Sequence, residues 1–231
     1  MSSIEDIPPR AATQLYVITP PQLDDEASFV TSLKAVLATG KVAALQLRFK
    51  LANNTAIDIP TTRRIANAIA PTAQASETAL IINDDVELAV EVGADGVHLG
   101  RSDMPIKTAR KLLPEDMIIG ATCHDSRHLA MQAGEDGADY VAFGAFFPTS
   151  TKDASTKASP ALLRWWQDLV EIPCVAIGGI TVENAGELCE AGADFLAVSA
   201  GVWQHTDGPV AAVKAFDKLL CASARASPAS N

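Results

Sequence analysis

Short apolar runs of β-forming residues recur eight times along the chain, at 14–18, 42–47, 79–82, 96–99, 117–120, 140–143, 174–177 and 195–199. Between them lie segments whose apolar positions return every three or four residues: 24–38, 61–75, 86–92, 105–113, 126–135, 160–169, 182–191 and 209–222. Alternation of this kind predicts a parallel sheet, because parallel neighbours need a crossover and a helix supplies it. Eight rounds in about 200 residues predict closure into a single (β/α)8 TIM barrel.

Three echoes support that register. Val92-Gly93-Ala94-Asp95, Asp136-Gly137-Ala138-Asp139 and Ala191-Gly192-Ala193-Asp194 each end a helical segment and lead into a β run. Glycine suits the left-handed residue after a helix, so these glycines read as helix stops rather than ligand contacts. The whole chain, 1–231, reads as one domain. Its ends, 1–12 and 223–231, are rich in Ser, Ala and Pro and are expected to be flexible. A loop is expected at 53–60.

Composition narrows the partners. The net charge is −10 and no Lys/Arg cluster forms a basic face, so no nucleic-acid partner is expected. No unbroken apolar window is long enough to predict a membrane span, and the start lacks the features of a secretory signal. The expected location is the cytoplasm, and a homo-oligomer is compatible with the sequence. Cys123, Cys174, Cys189 and Cys221 match no zinc or CxxC spacing and read as reduced thiols. In so acidic a chain, any phosphate site has to be built locally from a few cations and backbone N–H groups.

In a barrel of this type the chemistry lies where strands run into the following loops. After the second run come Gln46, Arg48 and Lys50, which period two places on one side, suited to an anionic substrate or to a solvated salt bridge. Asn83, Asp84 and Asp85 follow the third run; one Asp is expected to cap the next helix and leave the other free. Asp103 follows the fourth run, just before Met104-Pro105, and reads either as a helix cap or as an acid beside Asp84. Two carboxylates at neighbouring strand ends suit Mg²⁺ on a pyrophosphate. Thr122 and His124 follow the fifth run. The sixth leads into Phe147-Pro148-Thr149-Ser150-Thr151-Lys152, a hydroxyl-rich loop closed by a cation. Gly178-Gly179 and Val198-Ser199 follow the last two runs, where such barrels commonly hold phosphate on backbone N–H groups.

Together with Leu15-Tyr16-Val17-Ile18-Thr19, Val97-His98-Leu99-Gly100-Arg101-Ser102-Asp103 and Ala176-Ile177-Gly178-Gly179-Ile180, these motifs resemble thiamine phosphate synthase from about Gln14 to Val202. That resemblance implies a transferase of thiamine biosynthesis. Its small-molecule partners would be 4-amino-2-methyl-5-hydroxymethylpyrimidine diphosphate and a thiazole phosphate, plain or carboxylated, joined with release of pyrophosphate. It implies that Gln46, Arg48, Lys50, Asn83 and Lys152 bind the pyrimidine diphosphate, with Arg48, Lys50 and Lys152 easing departure of pyrophosphate. Asp84 and Asp103 would hold Mg²⁺. Thr122 would stand where the family usually has Ser. Thr149, Thr151, Gly179, Val198 and Ser199 would hold the thiazole phosphate. Phe49 departs from the family's usual Glu, but period two turns it away from its neighbours Arg48 and Lys50. Three rival readings remain at this point: a related thiazole tautomerase using His124 as base, a non-catalytic thiamine-precursor binder, and another phosphate-binding barrel enzyme.

Overall fold

The computed structural model describes residues 12–50, 58–149 and 157–226. Its strands are β1 (Gln14–Ile18), β2 (Ala44–Leu47), β3 (Ala79–Asn83), β4 (Gly96–Leu99), β5 (Ile118–His124), β6 (Tyr140–Gly144), β7 (Cys174–Ile177) and β8 (Phe195–Val198). They pair in sequence order, all parallel, and β8 returns to β1, closing the barrel. The helices are α1 (Glu26–Leu37), α2 (Ile59–Ala75), α3 (Val86–Glu91), α4 (Ile106–Leu112), α5 (Arg127–Glu135), α6 (Pro160–Leu169), α7 (Gly186–Glu190), α8 (Ala200–Trp203) and α9 (Pro209–Ala226).

Alternation along each strand divides the apolar residues between two layers. Outward-facing Leu15, Val17, Leu45 and Leu47 join helix residues such as Leu33, Ile65, Trp166 and Phe216 in the larger core. Inward-facing Tyr16, Ile18, Ala44, Ile81, Tyr140, Ala142, Val175 and Ala197 fill the barrel itself. Phe49 belongs to the outer layer, 1% exposed, with its ring edge-on to Phe29 at 5.9 Å. Its turn away from Arg48 and Lys50 is therefore as the alternation predicts.

The echoed glycines adopt left-handed backbone, with φ of 63° at Gly93, 98° at Gly137 and 94° at Gly192. The aspartates after them do more than the sequence suggests. Asp95, Asp139 and Asp194 each accept the N–H at or near the start of the preceding strand, from Leu80 at 2.6 Å, Ile119 at 2.7 Å and Cys174 at 2.8 Å. Each carboxylate thus pins two neighbouring strands at the barrel floor, opposite the rim that carries the polar residues.

Several elements differ from the sequence reading: α2 begins at Ile59, inside the expected loop 53–60, and α9 continues to Ala226, into the end 223–231 expected to be flexible. Strand β5 runs on to His124, past the expected end at 120, a continuation that the inward positions Gly120 and Thr122 do not signal because neither is apolar. The register slips between Thr122 and His124, an irregularity of the kind that re-aims a strand's side chains. Helix α7 is shorter than the expected 182–191, and α8 was not anticipated, since four residues carry no periodic signature.

Candidate active site

Gln46, Arg48 and Lys50 rise from the end of β2 toward the barrel mouth. Two long-range contacts hold the backbone there: the Arg48 N–H donates to Thr19 Oγ1 at 2.8 Å, and the Lys50 N–H to the Pro21 carbonyl at 2.7 Å. Burial pushes the Arg48 guanidinium down from its ordinary pKa, with the Asp84 carboxylate pulling the other way. Among the described residues Arg48 forms no ion pair. A buried cation left in this state favours an anionic visitor.

Deeper in, Gln46 is 2% and Asn83 5% exposed, and the side-chain nitrogens Nε2 of Gln46 and Nδ2 of Asn83 have no hydrogen-bond partner among the described residues. Their strands are adjacent, with Leu45–Leu80 and Gln46–Ile81 in register. An unmade hydrogen bond at a buried donor costs about 1–3 kcal/mol. Two such donors at the base of one mouth are a cost that a ligand offering acceptors removes.

Lys50 Nζ donates to Asp84 Oδ2 at 2.6 Å, and its side chain is only 9% exposed. Asp85, not Asp84, caps α3, accepting the Leu88 N–H at 2.8 Å. Asp84 is thereby released from capping and sits at φ 66°, a left-handed conformation unusual for a residue with a side chain. Asp103 does not cap α4, whose N-terminus has no side-chain cap; it accepts the Gly100 N–H at 2.7 Å instead. Burial raises the Asp103 pKa, opposed by the Gly100 N–H, and the adjacent Asp84 carboxylate raises it further. The two carboxylates thus stand near one another. Such a pair is suited to a hard divalent cation. Among the described residues no group of three or more His, Cys, Asp or Glu converges. Two carboxylates could supply the protein side of a site for Mg²⁺, an ion that completes its shell with phosphate and water.

Thr122, half-buried on β5, places Oγ1 2.8 Å from His98 Nε2. Cys123 beside it faces the core, and burial pushes its thiol up to about 12, which leaves it unreactive. His124 closes the strand at φ 55°.

The far side of the rim is built from tight backbone contacts. Gly178 and Gly179 take φ of 104° and 64°. A Cβ on Gly178 would lie 2.4 Å from Ala145 Cβ, and one on Gly179 2.3 Å from the Pro148 carbonyl. The loop after β6 is laced to this turn by N–H groups of Phe146 and Phe147 donating to Ile177 and Gly178. This brings half-buried Thr149 to the same side as Gly179. Asn184, unremarked in the sequence, supports the turn by accepting the Thr181 N–H at 2.9 Å and donating to the Gly179 carbonyl at 3.0 Å. Val198 ends β8 and Ser199 precedes α8 without a side-chain cap bond, its Oγ donating instead to the Thr19 carbonyl at 3.3 Å. Thr151 and Lys152 lie outside the described residues. Gln46, Arg48, Lys50, Asn83, Asp84, Asp103, Thr122, Thr149, Gly179, Val198 and Ser199 all fall at one rim, at or just beyond the C-terminal ends of the strands.

Comparison with known proteins agrees with this geometry. A family model described as thiamine monophosphate synthase matches residues 15–202. A thiamine-phosphate synthase of Hyphomonas neptunium is 57% identical over 212 residues, covering 92% of this chain and 96% of the relative. Another, of Rhodospirillum centenum, is 55% identical, covering 90% of this chain and 97% of the relative. A solved thiamine phosphate pyrophosphorylase of Pyrococcus furiosus superposes with a TM-score of 0.77 at 32% identity, covering 91% of this chain and 96% of that one. With a closed parallel barrel and a rim of this composition, the chain belongs to the thiamine-phosphate synthase family, transferases of thiamine biosynthesis.

Proposed function

We propose that this chain joins 4-amino-2-methyl-5-hydroxymethylpyrimidine diphosphate to 4-methyl-5-(2-phosphoethyl)thiazole, or to its carboxylated form, giving thiamine phosphate and pyrophosphate. The observation that carries this reading is the pair of orphaned buried donors, Gln46 Nε2 and Asn83 Nδ2, beneath the cations Arg48 and Lys50. An aminopyrimidine offers ring nitrogens to such donors, and its diphosphate would reach the cations above.

In the reaction the bond between the pyrimidine methylene carbon and the diphosphate oxygen breaks, and the thiazole nitrogen bonds to that carbon. Negative charge grows on the departing pyrophosphate. Arg48, which has no ion pair among the described residues, would meet that charge with little reorganisation, while Lys50 would share or exchange its Asp84 partner to do so. Asp84 and Asp103 would hold Mg²⁺, which when bound neutralises part of the diphosphate charge. The aminopyrimidine ring delocalises the cation left behind, so no protein nucleophile is needed. Lys152 would add a further positive charge. Thr149, Thr151, Gly179 and the backbone of Val198 and Ser199 would anchor the thiazole phosphate, holding its nitrogen near the reacting carbon.

The test is to mix purified protein with both precursors and Mg²⁺ and follow thiamine phosphate by mass and pyrophosphate by a coupled assay. Both products are expected, and chelation of Mg²⁺ should stop their formation. Binding of the precursors with no turnover under saturating Mg²⁺ would overturn the proposal. So would conversion of the thiazole phosphate alone, with no pyrophosphate released.

A further inference from the structure

A line of hydrogen-bonding groups crosses the barrel interior and ends at Thr122. Tyr16 and Tyr140 place their hydroxyls 2.9 Å apart; the Tyr140 hydroxyl is 2.9 Å from His98 Nδ1; His98 Nε2 is 2.8 Å from Thr122 Oγ1. The four residues come from β1, β6, β4 and β5. Tyr16 is 3%, Tyr140 7% and His98 8% exposed. Neighbouring positions accommodate the line. A Cβ on Gly120 would fall 2.0 Å from the Tyr140 ring, so the absence of a side chain there makes room for the phenol. The Tyr140 ring stacks on His98 at 5.6 Å and meets Tyr16 edge-on at 6.0 Å.

Such a chain has a direction. Each hydroxyl carries one proton, and a neutral imidazole donates from one nitrogen and accepts at the other. An anion facing Thr122 takes only donors. The Thr122 hydroxyl then has to point its proton outward and accept on its inner side, which requires His98 to be protonated at Nε2. His98 Nδ1 in turn accepts from Tyr140, and Tyr140 accepts from Tyr16. In the opposite direction Thr122 spends its proton on His98 and presents only lone pairs to the mouth.

We propose that Tyr16, Tyr140 and His98 are positioning residues that hold His98 as the Nε2–H tautomer and so keep the Thr122 hydroxyl as a donor to the leaving pyrophosphate. The inference rests on the reading above that Thr122 meets pyrophosphate. The three side chains touch no substrate themselves. They set which way the last hydroxyl of the line faces, and each bond in the line polarises the next.

Two measurements test it. In protein labelled with ¹⁵N-histidine, His98 should show the Nε2–H tautomer when saturated with inorganic pyrophosphate and Mg²⁺. The chain has 4 histidines, so the signal can be assigned by loss in His98→Gln. In steady-state kinetics, Tyr140→Phe keeps the ring over Gly120 and removes only the hydroxyl. It should lower kcat about tenfold, at the lower end of what loss of a partner behind a ligating group costs, with KM for the thiazole phosphate unchanged. In a Thr122→Val background the same substitution should cost nothing further, whereas a merely structural role would lower activity in both. Tyr16→Phe gives a second, milder variant should Tyr140→Phe fold poorly. An Nδ1–H tautomer for His98, or equal losses in the two backgrounds, would overturn the proposal while leaving the synthase reading intact. An unchanged kcat in Thr122→Val would instead remove the contact with pyrophosphate, and the proposal with it; product formation by the unaltered chain judges the reaction separately.

Discussion

Gly93 and Gly179 share a backbone conformation and differ in what surrounds them, so one substitution at both sites isolates the effect of crowding. Their φ values are 63° and 64°. An added Cβ on Gly93 meets nothing within 4 Å, whereas on Gly179 it lies 2.3 Å from the Pro148 carbonyl and 2.8 Å from Phe147 Cβ. Left-handed backbone costs a side-chain-bearing residue about 1–2 kcal/mol. Losing glycine's freedom in the unfolded chain returns about 0.4–1 kcal/mol. Gly93→Ala should therefore destabilise by about 1 kcal/mol. Gly179→Ala carries the same terms plus overpacking of about 1–3 kcal/mol. To regain ordinary contact the Pro148 carbonyl has to retreat by about 1 Å. That displaces the loop leading to Thr149, and a shift of this size in a positioning element can cost about 100-fold in rate. Urea unfolding of both variants gives the stabilities, and kinetics with varied thiazole phosphate give kcat/KM. Gly179→Ala should be the less stable by about 1–3 kcal/mol and should lose kcat/KM, while Gly93→Ala keeps it. Equal stabilities would refute the crowding argument. A normal kcat/KM for Gly179→Ala would refute the link between this turn and the thiazole phosphate.

Other predictions follow from single observations. Gln46→Leu removes a buried donor that has no partner among the described residues, so it should leave stability unchanged or raise it by about 1 kcal/mol while KM for the pyrimidine diphosphate rises sharply; a large loss of stability in urea would show that the Gln46 amide is satisfied. Phe49→Ala should cost about 3–5 kcal/mol of stability by emptying the space against Phe29, with kcat close to normal in the protein that remains folded. The chain has 2 tyrosines, both buried, with pKa raised by desolvation. Because the folded values lie above the unfolded value of about 10, their contribution to stability is complete below that pH and drains away as pH rises through the folded values. Phenolate absorbance should therefore appear together with unfolding rather than before it, and a phenolate step in still-folded protein near pH 10 would contradict the buried placement.

The barrel was legible because every strand carries an apolar outward face and every long helix a repeating one. Strand β5 was cut short in the sequence reading because Gly120 and Thr122, its inward positions, are respectively bare and polar. Their reason lies elsewhere: Tyr140 occupies the space above Gly120, and Thr122 ends a hydrogen-bonded line. Helix α8 was missed for its brevity, although it is fixed by tertiary contacts, with Trp203 Nε1 donating to the Ile18 carbonyl at 2.8 Å. The cations just beyond β2 were visible through period two alone. Which of Asp84 and Asp85 was free could not be read from adjacency, since both can cap; the left-handed turn at Asp84 decides it by leaving Asp85 in line with α3.

The supports behind the site were the least legible part. Tyr16, Thr19 and Tyr140 carry no sign of a supporting role, because each acts on a partner on another strand, whereas Asn184 acts locally on Gly179 and Thr181 but sits in no recognisable motif. Tyr16 and Tyr140 are 124 positions apart in the chain, and Ser199 and Thr19 are 180. Residues that meet a ligand cluster in short segments, since one strand end presents two or three of them together. Those that orient them stand one strand further round or one layer deeper. In a chain of net charge −10 this division matters: no general positive field would draw in the proposed diphosphate, so its attraction would rest on a few cations and donors held in fixed directions. Lys50 is restrained by Asp84, and Arg48 is desolvated without an ion pair among the described residues, so the two cations differ in how an arriving anion meets them. On the proposed reading Arg48 would gain a partner outright. Lys50 has to share or exchange its partner, which ties its contribution to whatever else the Asp84 carboxylate binds.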